Sequence, residues 1–374
     1  MGSISKIKDF ITVSIIRIFN CLPIRNNKIF LYSYYGSQYG CSPKYISEYL
    51  VKNYPDKYDV VWAFNDIESK KDIEGIRKVK IMSLKYFYEL CTSKIVITNF
   101  RTTEMFKKRK NQYYVQTWHS SLRLKQIEKD AEDTLPKHYV EMAKVDSKKL
   151  DLLMSGCKFS TDIFKRAFWY DGEIFECGTP RNDILFKNDM SLNNKRKKVI
   201  LYAPTFRKNN DLNAYNIDYS KIINKLKDKF GGEWIFLVKL HPHLISKSNE
   251  LVYGENVLDV TKYDDIQELL SIADVLISDY SSLMFDFALT KRPCFLYVPD
   301  LDYYIKNDRK LYFNINELPF IPVRSNDELA SEITNFDGIK YEKDLGIFFD
   351  KTGSFEEGKC CEELEKRLNE VCFE

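Results

Sequence analysis

Apolar runs alternate with helical patterns along most of the chain. Runs rich in Val, Ile, Tyr and Phe predict strands in the first half at 28–36, 59–65, 94–100 and 112–119. Apolar residues at helical spacing predict helices between them at 43–53, 83–93 and 160–168. Strands separated by helices of this length predict βαβ units and a parallel sheet.

The same alternation restarts after residue 198. Strands are predicted at 198–206, 233–243, 274–282 and 293–299, and helices at 219–230 and 265–273. The intervening segment 190–198 is polar, charged and without a strong period, which is typical of a linker. We therefore predict an α/β protein of two Rossmann-like domains facing a central cleft, with ligands bound beyond the carboxyl ends of the strands.

The first 22 residues carry apolar positions interrupted by Lys6, Lys8, Asp9 and Arg17. The uninterrupted apolar stretch 10–16 is far shorter than the roughly 20 residues that span a bilayer. Two interpretations remain open, because amphipathicity alone does not separate them. The segment is either a helix that lies in a membrane interface or a packing helix at the edge of a domain.

Composition excludes several classes of protein. Lysine and arginine number 57 against 54 acidic residues, and this near-balance, a net charge of +3, does not argue for binding of nucleic acid, which needs a concentrated basic face. The nine cysteines are scattered and form no CxxC pair, so neither a zinc ribbon nor a disulfide framework is expected. A reducing cytoplasm fits this pattern.

Three of the four histidines follow predicted strands. His119 ends one strand of the first half, and His241 and His243 end one strand of the second, whereas His138 lies in a polar helical region. A lone histidine is more often a surface or packed residue than a catalyst. Because open α/β sheets place their sites at carboxyl strand ends, we predict that one histidine deprotonates a hydroxyl and that another stabilises phosphate charge or the leaving group.

Ser281 and Ser282 stand where a strand gives way to a helix. Serines there either cap the helix or join its free N–H groups in holding a phosphate. Asp279 precedes them, and it would repel phosphate unless it holds a backbone turn or binds a hydroxyl of the ligand. The sequence contains neither GxGxxG nor a Walker A motif, which argues against NAD binding and NTP hydrolysis.

Thr205 and Arg207 follow another predicted strand, and Arg181 follows a Gly-Thr-Pro turn. Taken singly, each arginine is more often part of a surface ion pair. Taken with the other polar groups at strand ends, both arginines and Thr205 are predicted phosphate ligands, since the guanidinium fork binds phosphate in a bidentate manner.

Six segments together resemble the CDP-glycerol glycerophosphotransferase family of teichoic-acid and capsule synthesis. They occur in order along the chain, at 116–130, 155–168, 178–185, 201–207, 239–243 and 277–300. The resemblance implies a GT-B fold and attack by an acceptor hydroxyl on the β-phosphorus of a CDP-polyol, either CDP-glycerol or CDP-ribitol, with release of CMP. It also implies a peripheral protein on the cytoplasmic face of the bacterial membrane, acting on a lipid-linked saccharide or polyol-phosphate acceptor.

The resemblance also assigns roles. His119 corresponds to the proposed base of the family and His241 to its phosphate-side histidine, while Arg207, Ser281 and Ser282 correspond to donor-phosphate positions. The family often has glycine where this chain has Ser120, which changes the backbone freedom beside His119. The domains expected are a possible membrane-interface helix at 1–22, an acceptor-side domain at 23–190, a CDP-donor domain at 198–345 and a helical tail at 346–374.

Several alternatives remain open. A GT-B glycosyltransferase with a nucleotide-sugar donor would look alike, and a non-catalytic protein that binds membrane or polysaccharide is a different class. No DxD-like cluster is present, so no obligatory metal or other cofactor is expected, although the carboxylates of Asp279 and Asp286 leave metal binding as an alternative. A homo-oligomer is compatible with the sequence, and nucleic acid is not an expected partner.

Overall fold

The computed structural model describes residues 2–103, 106–187, 196–207, 212–251, 254–307 and 310–374. Most of the predicted linker, 190–195, therefore lies outside the described residues. The chain divides into two compact units. Unit 1 contains Met1–His119, Leu135–Asp183 and Phe355–Glu374, and unit 2 contains Ser120–Thr134 and Ile184–Ser354.

Thirteen strands are seen in the described part of the chain. They are β1 Arg25–Tyr32, β2 Asp59–Phe64, β3 Arg77–Lys80, β4 Ser93–Thr98, β5 Tyr113–Gln116, β6 Leu152–Ser155, β7 Glu173–Glu176, β8 Lys198–Ala203, β9 Trp234–Val238, β10 Val257–Asp259, β11 Val275–Ser278, β12 Cys294–Tyr297 and β13 Pro322–Val323. Most of these strands carry consecutive apolar residues rather than alternating ones, because helices cover both faces of a parallel sheet.

Thirteen α-helices are seen in the same residues. They are α1 Gly2–Phe19, α2 Cys41–Asn53, α3 Leu84–Thr92, α4 Lys137–Ser147, α5 Lys158–Ala167, α6 Tyr219–Phe230, α7 Ser248–Leu251, α8 Ile266–Ile272, α9 Leu283–Ala288, α10 Leu301–Asn307, α11 Asn326–Asn335, α12 Gly338–Thr352 and α13 Cys360–Phe373. Short 3₁₀ turns join several of them, including Pro242–Lys247 after β9.

Each unit contains one parallel sheet. The strand order is β3-β2-β1-β4-β5-β6-β7 in unit 1 and β10-β9-β8-β11-β12-β13 in unit 2. In both sheets the order reverses beside the first strand, which is the Rossmann arrangement, and such a switch point opens a crevice at the carboxyl strand ends. The prediction of an α/β protein with two Rossmann-like domains is confirmed.

The segment Ser120–Thr134 belongs to unit 2, although the predicted boundary placed it in the first domain. Backbone pairing explains the difference. The N–H of Tyr312 donates to the carbonyl of Leu124 at 2.7 Å, and the N–H of Gln126 donates to the carbonyl of Lys310 at 2.9 Å. Hydrophobic periodicity carries no information on such long-range pairing.

The predicted helical tail 346–374 divides at residue 354. All of α12 precedes that position and belongs to unit 2, whereas α13 belongs to unit 1. Asp183 fixes α13, since its carboxylate accepts from the N–H groups of Cys360 at 3.0 Å and Cys361 at 2.8 Å. A distant carboxylate thus occupies the place of a cap at this helix start.

The predicted N-terminal helix is present as α1, which packs on α3. Thr12 and Ile16 are buried, and the ring of Phe19 meets that of Tyr88 edge to face with centroids 5.8 Å apart. Ile11 and Ile18 remain exposed on the same helix. One face of α1 therefore packs as an ordinary helix, and attachment to a membrane stays a prediction.

Within the described residues, no helix combines the length and the apolar character needed to cross a bilayer.

Candidate active site

His119 follows β5 in unit 1, and backbone contacts fix its ring. The buried amide of Gln116 accepts from the N–H of Trp118 at 2.9 Å, and the Trp118 ring stacks on the exposed imidazole of His119 with centroids 4.4 Å apart. The Nδ1 of His119 lies 3.1 Å from the carbonyl oxygen of Asn99. A carbonyl can only accept, so Nδ1 carries the proton and Nε2 keeps its lone pair. His119 is thus in the tautomer that can accept a proton from a hydroxyl.

Arg181 belongs to unit 1, whereas the other predicted phosphate ligands belong to unit 2. Its side chain is buried, and Nη1 is 3.7 Å from the Sγ of Cys41. The turn that carries it is held by Glu356, whose carboxylate accepts from the backbone of Thr179 and the side chain of Asn182, both at 3.1 Å. A role for Arg181 as a phosphate ligand stays a prediction.

Arg207 is the centre of a buried ion-pair network in unit 2. Its side chain is 1% exposed. Nη1 lies 2.8 Å from Asp279 and donates to the carbonyl of Thr205 at 2.6 Å, while Nε donates to Asp300 at 2.6 Å. Burial lowers the pKa of Arg207, but the charges of Asp279 and Asp300 outweigh that effect and raise the pKa above its ordinary value. The guanidinium predicted to bind phosphate is thus already engaged by two carboxylates.

Stacked aromatic rings enclose the same guanidinium. The rings of Tyr280 and Tyr304 are nearly parallel with centroids 3.7 Å apart, and the Cζ of Arg207 lies 4.8 Å and 5.2 Å from them. The hydroxyl of Tyr280 donates to Asp300 at 3.0 Å. Sequence reasoning did not single out Tyr280, Tyr304 or Asp300. Asp300 could have been selected from the sequence, because it follows β12 by three residues and so stands at a carboxyl strand end.

Asp279 holds a backbone turn, which was one of the two alternatives to repulsion of phosphate. Its carboxylate accepts from the N–H of Thr205 at 2.9 Å and is buried against Arg207. The hydroxyl Oγ1 of Thr205 is buried and has no hydrogen-bond partner among the described residues. Asp279 therefore shapes the loop after β8, and Thr205 keeps a hydroxyl available there.

Ser281 and Ser282 lie at the start of α9, as predicted, but neither caps the helix in the usual way. Ser282 occupies the N-cap position without a side-chain cap bond, and its hydroxyl accepts from the N–H of Leu124 at 3.4 Å. The hydroxyl of Ser281 accepts a long bond of 3.5 Å from the N–H of Leu283. Both side chains are half-buried at the carboxyl end of β11. Asp286 is fully buried and accepts from Ser121 at 2.9 Å.

His241 and His243 form an aromatic cluster with Phe206. The two imidazole centroids are 4.9 Å apart, and the ring of Phe206 lies 5.5 Å from His241 and 5.4 Å from His243. The Nδ1 of His241 accepts from the N–H of His243 at 3.3 Å, which leaves the proton on Nε2. Although part of the ring is exposed, burial of the rest, with the charges of His243, Lys125 and Lys239, lowers the pKa of His241 to about 4. His241 is therefore neutral near pH 7 and donates through Nε2.

No group of three histidine, cysteine or carboxylate side chains suited to a metal occurs within the described ranges. The two carboxylates considered as metal ligands have protein partners: Asp279 forms an ion pair with Arg207, and Asp286 accepts a hydrogen bond from Ser121. Whether catalysis requires a metal stays a prediction.

Comparison with known proteins identifies the family. Residues 14–370 match the CDP-glycerol:poly(glycerophosphate) glycerophosphotransferase family. The teichoic acid poly(glycerol phosphate) polymerase of Bacillus spizizenii is 33% identical over 380 aligned positions, covering 95% of each chain. The teichoic acid glycerol-phosphate transferase of Staphylococcus aureus is 31% identical and covers 96% of this chain and 97% of that protein. The chain also spans about half, 48%, of a longer polymerase of Bacillus subtilis.

A solved structure of a wall teichoic acid polymerase is similar to this chain over its whole length. The wall teichoic acid polymerase TagF superposes with a TM-score of 0.82 at 30% identity, covering 100% of this chain and 98% of that one. The match extends over nearly the whole chain, includes both units and confirms the predicted class of enzyme. The chain belongs to the CDP-glycerol:poly(glycerophosphate) glycerophosphotransferase family.

Proposed function

We propose that this chain transfers a polyol phosphate, most readily glycerol phosphate, from a CDP-polyol to a hydroxyl of a lipid-linked acceptor and releases CMP. The observation that carries the proposal is the tautomer of His119, whose Nδ1–H is bound by the carbonyl of Asn99 at 3.1 Å. An unprotonated Nε2 on an exposed imidazole is what a general base for a hydroxyl requires.

The reaction is a displacement at phosphorus. His119 takes the proton of the acceptor hydroxyl as that oxygen bonds to the β-phosphorus, which carries the polyol. The bond between this phosphorus and the bridging oxygen breaks, and CMP leaves with the bonding electrons. Such a transfer depends on in-line positioning and on stabilisation of the charge that spreads over the non-bridging oxygens.

Unit 2 supplies donors for that charge. His241 is neutral and offers Nε2–H, so it can bond a phosphate oxygen without an added proton. The hydroxyls of Thr205, Ser281 and Ser282 stand at carboxyl strand ends of the same sheet. We assign Arg207 the role of holding the loops that carry these groups, since its nitrogens bond Asp279, Asp300 and the backbone.

The substrates and the location are part of the proposal. A nucleotide-polyol donor follows from the family, and glycerol is favoured because the similar polymerase and transferase are named for glycerol phosphate. Both are teichoic acid enzymes by name, which supports a lipid-linked acceptor and work at the cytoplasmic face of the membrane as a peripheral protein. Ribitol as the polyol remains the second donor to test.

The test uses the purified chain with CDP-glycerol or CDP-ribitol and a synthetic undecaprenyl-diphosphate disaccharide. We expect release of CMP and a product heavier by one or more glycerol phosphates. His119→Ala should lower the rate by about a hundredfold or more, because it removes the general base. His138→Ala, at an exposed position on α4, is the matched control and should keep the wild-type rate.

Two results would contradict the proposal. One is unchanged product formation by His119→Ala. The other is release of a nucleoside diphosphate from a sugar donor with no CMP from either CDP-polyol, which would identify a glycosyltransferase instead.

A further inference from the structure

The first turn of α2 in unit 1 has features of an anion site that the roles assigned so far do not use. The loop 33–40 joins β1 to this helix, and β1 borders the switch point with β4. The N-cap residue is Gly40, and no side chain caps the helix. The N–H groups of Cys41 and Ser42 precede Pro43 and have no acceptor within the helix, so they and the helix dipole favour a negative charge.

Two buried polar groups at this place have no hydrogen-bond partner among the residues that the structure describes. They are the hydroxyl of Ser42 and the Nδ2 amide of Asn99, and both side chains are 0% exposed. The Oδ1 of Asn99 accepts from the N–H of Tyr34 at 3.0 Å, which assigns the remaining amide nitrogen as a donor. The Cα–Cβ bond of Ser42 tilts toward the N-terminus of its helix, which carries its hydroxyl to the uncapped end.

A buried positive charge also lies at the first turn of α2. The guanidinium of Arg181, 5% exposed, reaches the Sγ of Cys41 at 3.7 Å. Lys44, in the same first turn, is likewise 5% exposed, but its Nζ lies 3.9 Å from Glu48 and is not counted toward this charge. Buried polar groups are normally paired within the protein, and donors without a partner beside a buried guanidinium indicate a ligand with several acceptor oxygens.

The same groups adjoin the histidine assigned as base. The Sγ of Cys41 is 4.0 Å from the carbonyl of Trp118, whose ring stacks on His119. Asn99 supplies both the free amide and the carbonyl that binds Nδ1 of His119. A ligand held at the α2 terminus would therefore lie beside the base.

We propose that the start of α2, with Ser42, Asn99 and Arg181, binds a phosphate group of the acceptor and so presents the neighbouring acceptor hydroxyl to His119. This site rests on the proposed function, in which His119 activates that hydroxyl. The ligand class is a phosphate ester or diphosphate close to a free hydroxyl, as in a lipid-linked saccharide or a polyol-phosphate chain.

The kinetic test compares Ser42→Ala and Asn99→Asp with the control Asn26→Asp, an exposed position at the opposite end of β1. We expect the KM for the acceptor to rise about tenfold or more in the first two variants, because each loses a hydrogen bond to a charged group. The KM for CDP-glycerol should stay near the wild-type value in all three. Ser42→Ala should also keep or raise the Tm, since its hydroxyl has no partner to lose.

A binding test is independent of turnover. Inorganic phosphate and sn-glycerol 3-phosphate, titrated into the full chain by calorimetry or NMR, should bind wild type and Asn26→Asp alike and both site variants more weakly. Unchanged phosphate affinity and acceptor KM in both variants would overturn the site and leave the proposed function standing. An equal rise in both KM values together with a lower Tm would also overturn it, as a purely structural effect.

Failure of the proposed function gives a different result. If wild type releases no CMP from either CDP-polyol, that function is wrong, whereas phosphate binding that depends on Ser42 and Asn99 still reports on the site.

Discussion

At the scale of single residues, the backbone decides what each histidine can do. The carbonyl of Asn99 holds the proton of His119 on Nδ1, whereas the N–H of His243 directs that of His241 to Nε2. The two imidazoles are thus in opposite tautomers, since Nε2 carries the lone pair in His119 and the proton in His241. The same side chain can serve as base or as hydrogen-bond donor because of one backbone contact.

His241 should make stability depend on pH. Its folded pKa of about 4 lies below the ordinary value of 6.5, so between these values the unfolded chain binds a proton that the folded chain does not. The free energy of unfolding should therefore fall as pH decreases through this window. His241→Gln should show a shallower fall from about pH 7 to about pH 5, measured by chemical denaturation at each pH. The exposed control His138→Gln should keep the wild-type slope, and equal slopes for all three proteins would refute the assignment.

At the scale of elements, the loops after β8, β11 and β12 are joined by one buried cation. Thr205 and Arg207 follow β8, Asp279 follows β11 and Asp300 follows β12. Their ion pairs are short, at 2.8 Å and 2.6 Å, and exclude solvent from the guanidinium. The network therefore fixes the carboxyl edge of the sheet on which the hydroxyls of Thr205, Ser281 and Ser282 stand.

Asp300→Ala should destabilise unit 2 strongly. It leaves Arg207 buried with one carboxylate instead of two, and removal of one partner from a buried pair costs about 3 kcal/mol. Asp302→Ala is the matched control, because Asp302 pairs with Arg324 where both side chains are exposed, at 81% and 52%. That exposed pair is worth less than about 1 kcal/mol. Urea denaturation distinguishes them, and equal losses in the two variants would contradict a structural role for the Arg207 network.

At the scale of the whole molecule, unit 1 is assembled from three separate stretches of chain. The last stretch contributes α13, where Leu364 and Leu368 are fully buried. Glu365 of this helix accepts from Tyr58 at 2.7 Å and from Lys57 at 2.9 Å. The C-terminal helix is thus a part of the first unit and not an appendage of the second.

Removal of residues 355–374 should unfold unit 1 selectively. Each buried leucine of α13 contributes about 2 kcal/mol by burial, and their removal exposes the apolar surface beneath them. Hydrogen exchange should show loss of protection in β1 and β4, with β8 and β11 still protected. Removal of Glu374 alone should leave both sheets protected. Full protection of β1 and β4 in the shortened chain would show that unit 1 is stable without α13.

The sequence alone determined the elements and the edge of each sheet at which the candidate catalytic residues stand. Apolar runs such as those of β1 and β8 report burial in a parallel sheet, and polar residues after strands must stand at its carboxyl edge, so His119, His241 and Ser281 could be selected. The tertiary structure decided which distant residues form ion pairs and hydrogen bonds with one another. One of the two carboxylates that bind Arg207, that of Asp300, lies 93 positions away along the chain, and the segment Ser120–Thr134 forms backbone hydrogen bonds near Tyr312. Periodicity records the local environment of a residue, whereas ion pairs, tautomers and unpaired donors depend on which distant segments the fold brings together.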